Sequence, residues 1–320
     1  MNVAKELTPV TVVVPTYRRP DLLRRCLAGL SVQDHPLKVA IVVTRAEDQP
    51  TADLLAGPLP LSPEVVIVDQ PGVLAAMAAG LAATQTPFVA FTDDDAVPRP
   101  DWVQRLLVPF EDPSVGAVGG RDAIGGDDTE CPPSADRVGL VSNWGRLIGN
   151  HHIGFGPARD VDVLKGVNCM YRRSAVAIPE NLRGSGAQMH FEVAVGLRAK
   201  AYGWRLVYDP SIVVDHFPGP RFDSDARVGS VGSALFDAAY NLTLSVGSFG
   251  RGAAIRRAAY SLCVGDSSLP GIARAATLVG KPGRRGALLR LGSALRGNAL
   301  ASLSLARGRR VTFYKCSAST

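Results

Sequence analysis

The sequence of 320 residues predicts an α/β fold, in which helices flank a β-sheet that is largely parallel. Three observations predict this class. Short runs rich in Val and Ile alternate with segments whose apolar residues recur at helical spacing. The runs contain almost no polar residues, which is typical of strands buried on both faces. Carboxylates follow one run directly, at the strand end where open α/β sheets bind ligands.

Four strands and two helices are predicted in the first hundred residues, an arrangement typical of a Rossmann-like nucleotide-binding unit. One helix is expected to begin at Pro20, because proline suits the first helical turn. An alanine-rich helix is expected to begin after Gly72. The predicted strands are the β-branched or aromatic runs at 10–14, 39–43, 65–68 and 88–91.

The pattern becomes less regular after Trp102. Residues 121–160 are rich in Gly, Pro, Asp and Asn, which predicts a long loop region. A helix is expected over 188–201, with Gly203 as the left-handed residue that ends it. Beyond about residue 227 the chain indicates helices broken by glycines. Further short strands are predicted at 115–120, 204–208 and 211–214.

The net charge of +6 is concentrated near the end of the chain. From Arg251 to Thr320 there are eleven Arg, two Lys and one acid, Asp266. Such a basic segment could bind an anionic membrane surface or an acidic partner. The alternative is an ordinary solvated helical face, which would have the same composition. Nucleic-acid binding is not predicted, because the arginines are not interleaved with aromatic residues in a known module.

The cysteines and the hydropathy indicate the compartment. Five cysteines, an odd number with no C-x-x-C pair, favour reduced thiols over a disulfide framework or a zinc site. No signal-peptide pattern is present, and no apolar stretch reaches the ~18 residues of a membrane-spanning helix. We therefore expect a cytoplasmic protein, with peripheral attachment to the inner face of the cell membrane as an open alternative.

Three adjacent carboxylates, Asp93, Asp94 and Asp95, follow the apolar run at 88–91. Like charges at such spacing repel, and a hard divalent cation relieves the repulsion. The cluster therefore predicts Mg or Mn that holds a phosphate or diphosphate. A solvated turn with an aspartate as helix cap is the alternative.

Five segments in fixed order resemble family 2 glycosyltransferases with a GT-A fold. The resemblance implies a Rossmann-like nucleotide-binding mixed sheet flanked by helices as the catalytic domain at 1–225, and a basic helical region at 226–320. The matching segments lie at 12–19, 91–95, 166–173, 191–203 and 213–216.

The resemblance implies a metal-dependent, inverting hexosyltransferase that uses a nucleotide-sugar donor. Asp93 and Asp95 match the outer acids of the D-x-D element, which contact the donor ribose and the Mn or Mg. Asp94 lies between them and is also expected to bind the nucleotide-sugar. His216 matches a histidine that completes the metal shell in some relatives, and a purely structural histidine is the alternative. Glu192 matches the general base, which is usually Asp in the family, while an ordinary surface acid is its alternative.

The remaining donor contacts are expected in the loop after the first strand. Tyr17 is predicted to stack on the base, Arg18 to meet phosphate, and Pro15 and Thr16 to line the crevice. Asp69 is a second candidate for contact with the base, and a helix-capping role before the alanine-rich helix is equally open.

On the acceptor side we expect Asn168, Trp144 and Arg198. The acceptor implied is a glycan or a lipid-linked sugar in polysaccharide or glycolipid assembly at the cell envelope. An anionic membrane surface and a second copy of the chain are open as partners. The alternative function is a catalytically silent sugar-nucleotide-binding or scaffold protein recruited through its basic tail. The presence of Glu192 and of the aspartate cluster argues against this alternative.

Overall fold

The computed structural model describes residues 8–126, 132–222, 231–250, 252–266, 268–277 and 284–315. These residues form eleven strands, nine α-helices and two short 3₁₀ helices, Val108–Glu111 and His151–Ile153. The strands are β1 (Val10–Pro15), β2 (Val39–Arg45), β3 (Glu64–Val68), β4 (Phe88–Phe91), β5 (Ala96–Pro98), β6 (Val115–Ile124), β7 (Leu140–Val141), β8 (Leu147–Ile148), β9 (Arg159–Val161), β10 (Cys169–Arg172) and β11 (Arg205–His216). The helices are α1 (Pro20–Ser31), α2 (Gln49–Leu55), α3 (Val73–Ala83), α4 (Trp102–Leu107), α5 (Phe191–Ala201), α6 (Val231–Ser248), α7 (Ala253–Cys263), α8 (Ile272–Ala276) and α9 (Arg284–Ala306).

Nine of these strands form one mixed sheet, which confirms the predicted α/β class. The order is β3-β2-β1-β4-β10-β6-β11-β5, and β9 pairs with β11. The strands β1 to β4 are mutually parallel, and β10 runs antiparallel between β4 and β6. Helices cover the sheet and complete two large apolar clusters, one on each side of β1.

The four predicted N-terminal strands are confirmed, but β3 is not buried on both faces. Its Val65 and Ile67 are 45% and 53% exposed, because β3 is the edge strand of the sheet. The two short strands expected near 204–214 form a single strand, β11, whose pairing with β6 is interrupted between Asp209 and Val213. A local bulge of this kind bends a strand without ending it.

The parallel arrangement brings four strand ends to one edge of the sheet. The last residues of β1 to β4 are Pro15, Arg45, Val68 and Phe91. The strand β11 ends at the same edge, at His216, because it is parallel to β6. Side chains far apart in sequence therefore converge at this edge.

The C-terminal helices pack on the sheet domain. Ala301 and Leu305 of α9 belong to the same apolar cluster as Val13 of β1. Asn241 of α6 is fully buried and accepts a hydrogen bond of 2.7 Å from the Arg183 backbone N–H.

The predicted boundary at 225 lies outside the described residues, so the division into 1–225 and 226–320 stays a prediction. Each helix in the described ranges is too short or too polar to span a bilayer.

Candidate active site

A cavity of about 390 Å³ opens at the carboxyl edge of the sheet, within the size range of small-molecule sites. The final residues of β1 to β4 all line it. One wall is apolar, with Val43, Val73, Met77 and Phe191. The other wall carries the titratable side chains Asp93, Asp95, Lys165, Glu192 and His216.

Asp93, Asp95 and His216 form a cluster suited to a metal ion. One potential ligand atom from each lies within 4.8 Å of the others. Asp95 Oδ1 is buried without a hydrogen bond of good geometry, and His216 Nε2 lies 3.4 Å from it. Two carboxylate oxygens and one imidazole are a donor set that Mn or Mg accepts. The side chains present therefore fit a divalent cation.

Asp94 turns away from the cavity and holds the loop after β1. Thr16 Oγ1 donates to Asp94 at 2.7 Å, and Arg19 Nε donates to it at 3.0 Å. Arg19 also donates to Asp95 at 3.0 Å. Burial raises the pKa of Asp94 to about 7, although the Arg19 charge opposes the rise. The loop and the acid cluster are thus one hydrogen-bonded unit.

Arg19, rather than Arg18, is the arginine that lines the cavity. Arg18 is exposed with a left-handed φ of +56°, and its backbone N–H donates to Asp48 at 2.7 Å. Asp48 also caps α2 by accepting from Thr51 N–H at 3.2 Å. The predicted phosphate contact of Arg18 therefore has no support from its position.

The buried carboxylate of Asp122 orients the imidazole of His216. Asp122 Oδ2 lies 3.3 Å from His216 Nδ1 and also pairs with Lys165. Burial alone would lower the pKa of His216, but the neighbouring carboxylates of Asp122 and Asp95 raise it to about 9. A second carboxylate of this kind fixes the imidazole of many metal-binding histidines.

Glu192 lies in the first turn of α5 and faces the same cavity. The backbone amides of Gly166 and Glu192 lie beside the carboxylate and favour its ionised form. Burial raises the pKa of Glu192, the Asp93 charge adds to the rise, and the Lys165 charge opposes it. A carboxylate with a raised pKa is a better proton acceptor near neutral pH than an ordinary one.

The loop that follows β1 also contributes to the cavity. Pro15, Thr16 and Tyr17 are among the lining residues, and the Arg45 guanidinium lies 4.0 Å from the centre of the Tyr17 ring. Asp69 is exposed and outside the cavity lining. The N-terminus of α3 has no cap from Asp69, and instead Gln188 Oε1 accepts from Leu74 N–H at 3.1 Å.

The three predicted acceptor-side residues lie away from the cavity lining. Trp144 is 58% exposed, and Arg198 lies over the rings of Tyr202 and Phe313. Asn168 is fully buried and accepts a hydrogen bond of 2.8 Å from Trp102 Nε1. Its amide donates to the carbonyls of Arg121 and Ile212, so it joins β6 to β11.

This placement of Asn168 leads to a stability prediction. We expect Asn168→Ala to lower the free energy of unfolding by about 2 to 4 kcal/mol, because a buried indole N–H and two carbonyls lose their partners. Urea denaturation followed by circular dichroism measures the change. The exposed Asn181 supplies a control in Asn181→Ala, and equal stability of the two variants would contradict the structural role.

Sequence reasoning missed three charged residues of the site: Arg19, Lys165 and Asp122. Arg19 lies within a segment that was already assigned to the site and Lys165 directly precedes another, so position in the sequence was the available signal. Asp122 offered no such signal, because its proximity to His216 depends on the pairing of β6 with β11.

Curated proteins with similar sequences include glycosyltransferases. One relative is a pre-mycofactocin glycosyltransferase of Mycobacterium tuberculosis, 30% identical over 214 residues, which are 65% of this chain and 42% of the relative. The chain thus spans less than half of that protein. An uncharacterized glycosyltransferase of Mycobacterium bovis is 26% identical over 219 residues, covering 68% of this chain and 89% of the relative.

Solved structures share the fold. The mannosyltransferase PcManGT from Pyrobaculum calidifontis, in complex with GDP-Man and Mn²⁺, aligns with a TM-score of 0.52 and 18% identity over 92% of this chain and 85% of that one. TarS 1–349 of S. aureus, in complex with UDP-GlcNAc, aligns with a TM-score of 0.53 and 13% identity, over 94% and 92%. The likeness shows a GT-A fold. The model of glycosyl transferase family 2 matches residues 11–177 of this chain, which is more than half of its 320 residues. The chain therefore belongs to that family.

Proposed function

We propose that the chain transfers a sugar from a nucleotide-sugar donor to a hydroxyl acceptor, with inversion at the anomeric carbon. The observation that supports this most directly is the convergence of the Asp93, Asp95 and His216 cluster with Glu192 on one cavity. The family supports sugar transfer. The GDP-Man and UDP-GlcNAc of the two structural neighbours support a nucleotide-sugar donor.

The metal proposed is Mn or Mg, held by Asp93, Asp95 and His216. When bound, it would neutralise the charge that develops on the leaving diphosphate. Asp122 holds His216 in place, and Arg19 holds the loop after β1 against Asp94 and Asp95. The structural neighbour with Mn²⁺ supports a divalent cation without deciding which.

Glu192 is proposed as the general base. Its carboxylate takes the proton of the acceptor hydroxyl while that oxygen bonds to the anomeric carbon and the bond to the diphosphate oxygen breaks. The amides of Gly166 and Glu192 orient the carboxylate. The Lys165 charge favours its ionised form, which is the form that accepts a proton.

The base of the nucleotide is proposed to lie beside Tyr17 and Arg45. These residues follow β1 and β2, whereas the metal cluster follows β4. Neighbouring strands are about 4.8 Å apart, so the two places are separated by one to two strand spacings, the scale of a ribose. The acceptor proposed is a glycan or lipid-linked sugar in polysaccharide or glycolipid assembly.

A thermal-shift experiment tests the donor and the metal together. Nucleoside diphosphates at 100 times their dissociation constant should stabilise the fold by about 2.7 kcal/mol, and Mn should increase the shift. Release of the diphosphate from candidate donors is then followed by chromatography. A shift without release from any donor and acceptor would favour the silent binding protein, and neither shift nor release would contradict the donor class.

A further inference from the structure

Large apolar side chains are exposed on α7 and α8. Ile255 is 76% exposed, Leu262 49%, Val264 41% and Ile272 54%. We refer to these four residues as the α7–α8 face. Four exposed apolar residues on neighbouring elements are unusual for a surface that meets only water.

The geometry places these residues on one side of the protein. Ile255 and Leu262 are seven residues apart, so they share a face of α7, and Arg257 and Ser261 point into the protein. The Gly271 N–H donates to the Val264 carbonyl at 2.9 Å. The start of α8 therefore returns to the end of α7, and Ile272 lies near Val264.

The charges around the face are positive. Arg146 and Arg274 lie close enough to Tyr260 of α7 for both charges to oppose the rise in its pKa that burial causes. Arg256 Nε donates to the Asn143 carbonyl at 2.6 Å, which holds the exposed Trp144 next to α7.

Negative charge is nearly absent from this part of the chain. From residue 238 to the end of the sequence the one acid is Asp266. Its carboxylate is engaged by the buried Arg257 at 2.9 Å. Beside the face, Arg146 is exposed and Arg274 is half-buried, and an anionic surface would neutralise their positive charge.

We propose that the α7–α8 face, with Trp144 and the flanking arginines, docks on the surface of an anionic lipid bilayer. Apolar side chains and the indole enter the interfacial region, and the guanidinium groups meet lipid phosphates. A second copy of the chain fits less well, because a symmetric interface would bring two copies of the same arginine-bearing surface together.

The docking surface is one helix away from the cavity. Arg257 lies on the buried side of α7, and its charge contributes to the lowered pKa of His190, which burial chiefly causes. His190 lines the cavity. Docking itself does not depend on the proposed transfer.

Co-sedimentation of the full chain with vesicles tests the proposal. Binding to phosphatidylglycerol–phosphatidylcholine vesicles is expected to exceed binding to phosphatidylcholine alone and to weaken with salt. The variant Ile255→Gln/Leu262→Gln/Ile272→Gln should lower the partition coefficient roughly tenfold or more. The variant Arg146→Gln/Arg274→Gln should lower it about fivefold per arginine. Glutamine is chosen because it suits exposed helical positions.

The matched control is Val32→Gln/Val108→Gln, which removes two residues of 58% and 59% exposure from the sheet domain. It should bind vesicles as the natural chain does. If the triple variant loses its thermal transition, Ile255→Gln alone, at the most exposed site of the face, replaces it. Equal vesicle binding by the face variant and the natural chain would overturn the proposal, as would a change from dimer to monomer without a change in vesicle binding.

Discussion

Replacing Glu192 by glutamine is expected to lower the turnover number roughly a hundredfold or more while donor binding is retained. Glutamine preserves the size of the side chain and its contacts with the backbone amides, but it cannot accept a proton. Donor binding is measured by calorimetry, and turnover is measured by release of nucleoside diphosphate. The expected result is therefore a loss in kcat with little change in the donor dissociation constant.

The pH dependence provides a second readout for Glu192. Burial raises the pKa of Glu192. As the pH falls, its carboxylate is therefore protonated, and lost as a base, at a higher pH than that of an ordinary glutamate. The acidic limb of the kcat profile should thus lie above the usual glutamate range and should disappear in Glu192→Gln. Glu180→Gln, at an exposed acid outside the cavity lining, is the control. Normal transfer by Glu192→Gln would place the base elsewhere.

Replacing Asp95 by asparagine is expected to remove metal-dependent transfer almost completely, by roughly a thousandfold. In the natural chain, Gly219 N–H donates to Asp95 Oδ2 at 2.9 Å. The asparagine amide has the same shape as the carboxylate, and its oxygen can accept the same hydrogen bond. It loses the charge that would hold the cation. Stability should change less than activity, because Asp95 sits at a strand end beside the cavity and not within an apolar cluster.

The measurement for Asp95 is a Mn titration of turnover together with a thermal melt. Asp101→Asn is a suitable control, since Asp101 is 43% exposed and pairs with Arg105 outside the cavity. The Asp95 variant should need far more Mn than the natural chain, and the control should match the natural chain. Near-normal turnover at the same Mn concentration would show that Asp95 does not hold the metal.

Strand ends could be predicted from the sequence because local apolar runs define them. The run at 88–91 is buried and the carboxylates follow it, so Asp93 and Asp95 face the cavity as expected. The same reasoning assigned Arg18 to phosphate and missed Arg19, because backbone direction in a loop depends on partners such as Asp48 and Asp94. Adjacent residues in a loop have no periodicity from which orientation can be predicted.

The composition of the C-terminal region allowed two interpretations, a segment that binds an anionic surface and a solvated helical face. The packing shows which of its residues are buried and which are exposed. The sequence shows the excess of arginine, but Arg257 is fully buried while Arg290 and Arg296 are exposed. Ala301 and Leu305 of α9 complete the main core, so this helix is part of the structural framework. The exposed apolar side chains of α7 and α8 were not predicted, because the helical pattern there is broken by Gly265 and Gly271.

By itself, the sequence determined the α/β class, the four parallel strands, the acid cluster at the end of β4 and the position of Glu192 on a helix. These features depend on short apolar runs and on residues adjacent to them. Only the tertiary structure decided that His216 meets Asp95 and Asp122, and that Asn168 and Asp94 are buried supports. The reason is that these contacts join strands β4, β6, β10 and β11, whose neighbours in the sheet are set by long-range pairing and not by local pattern.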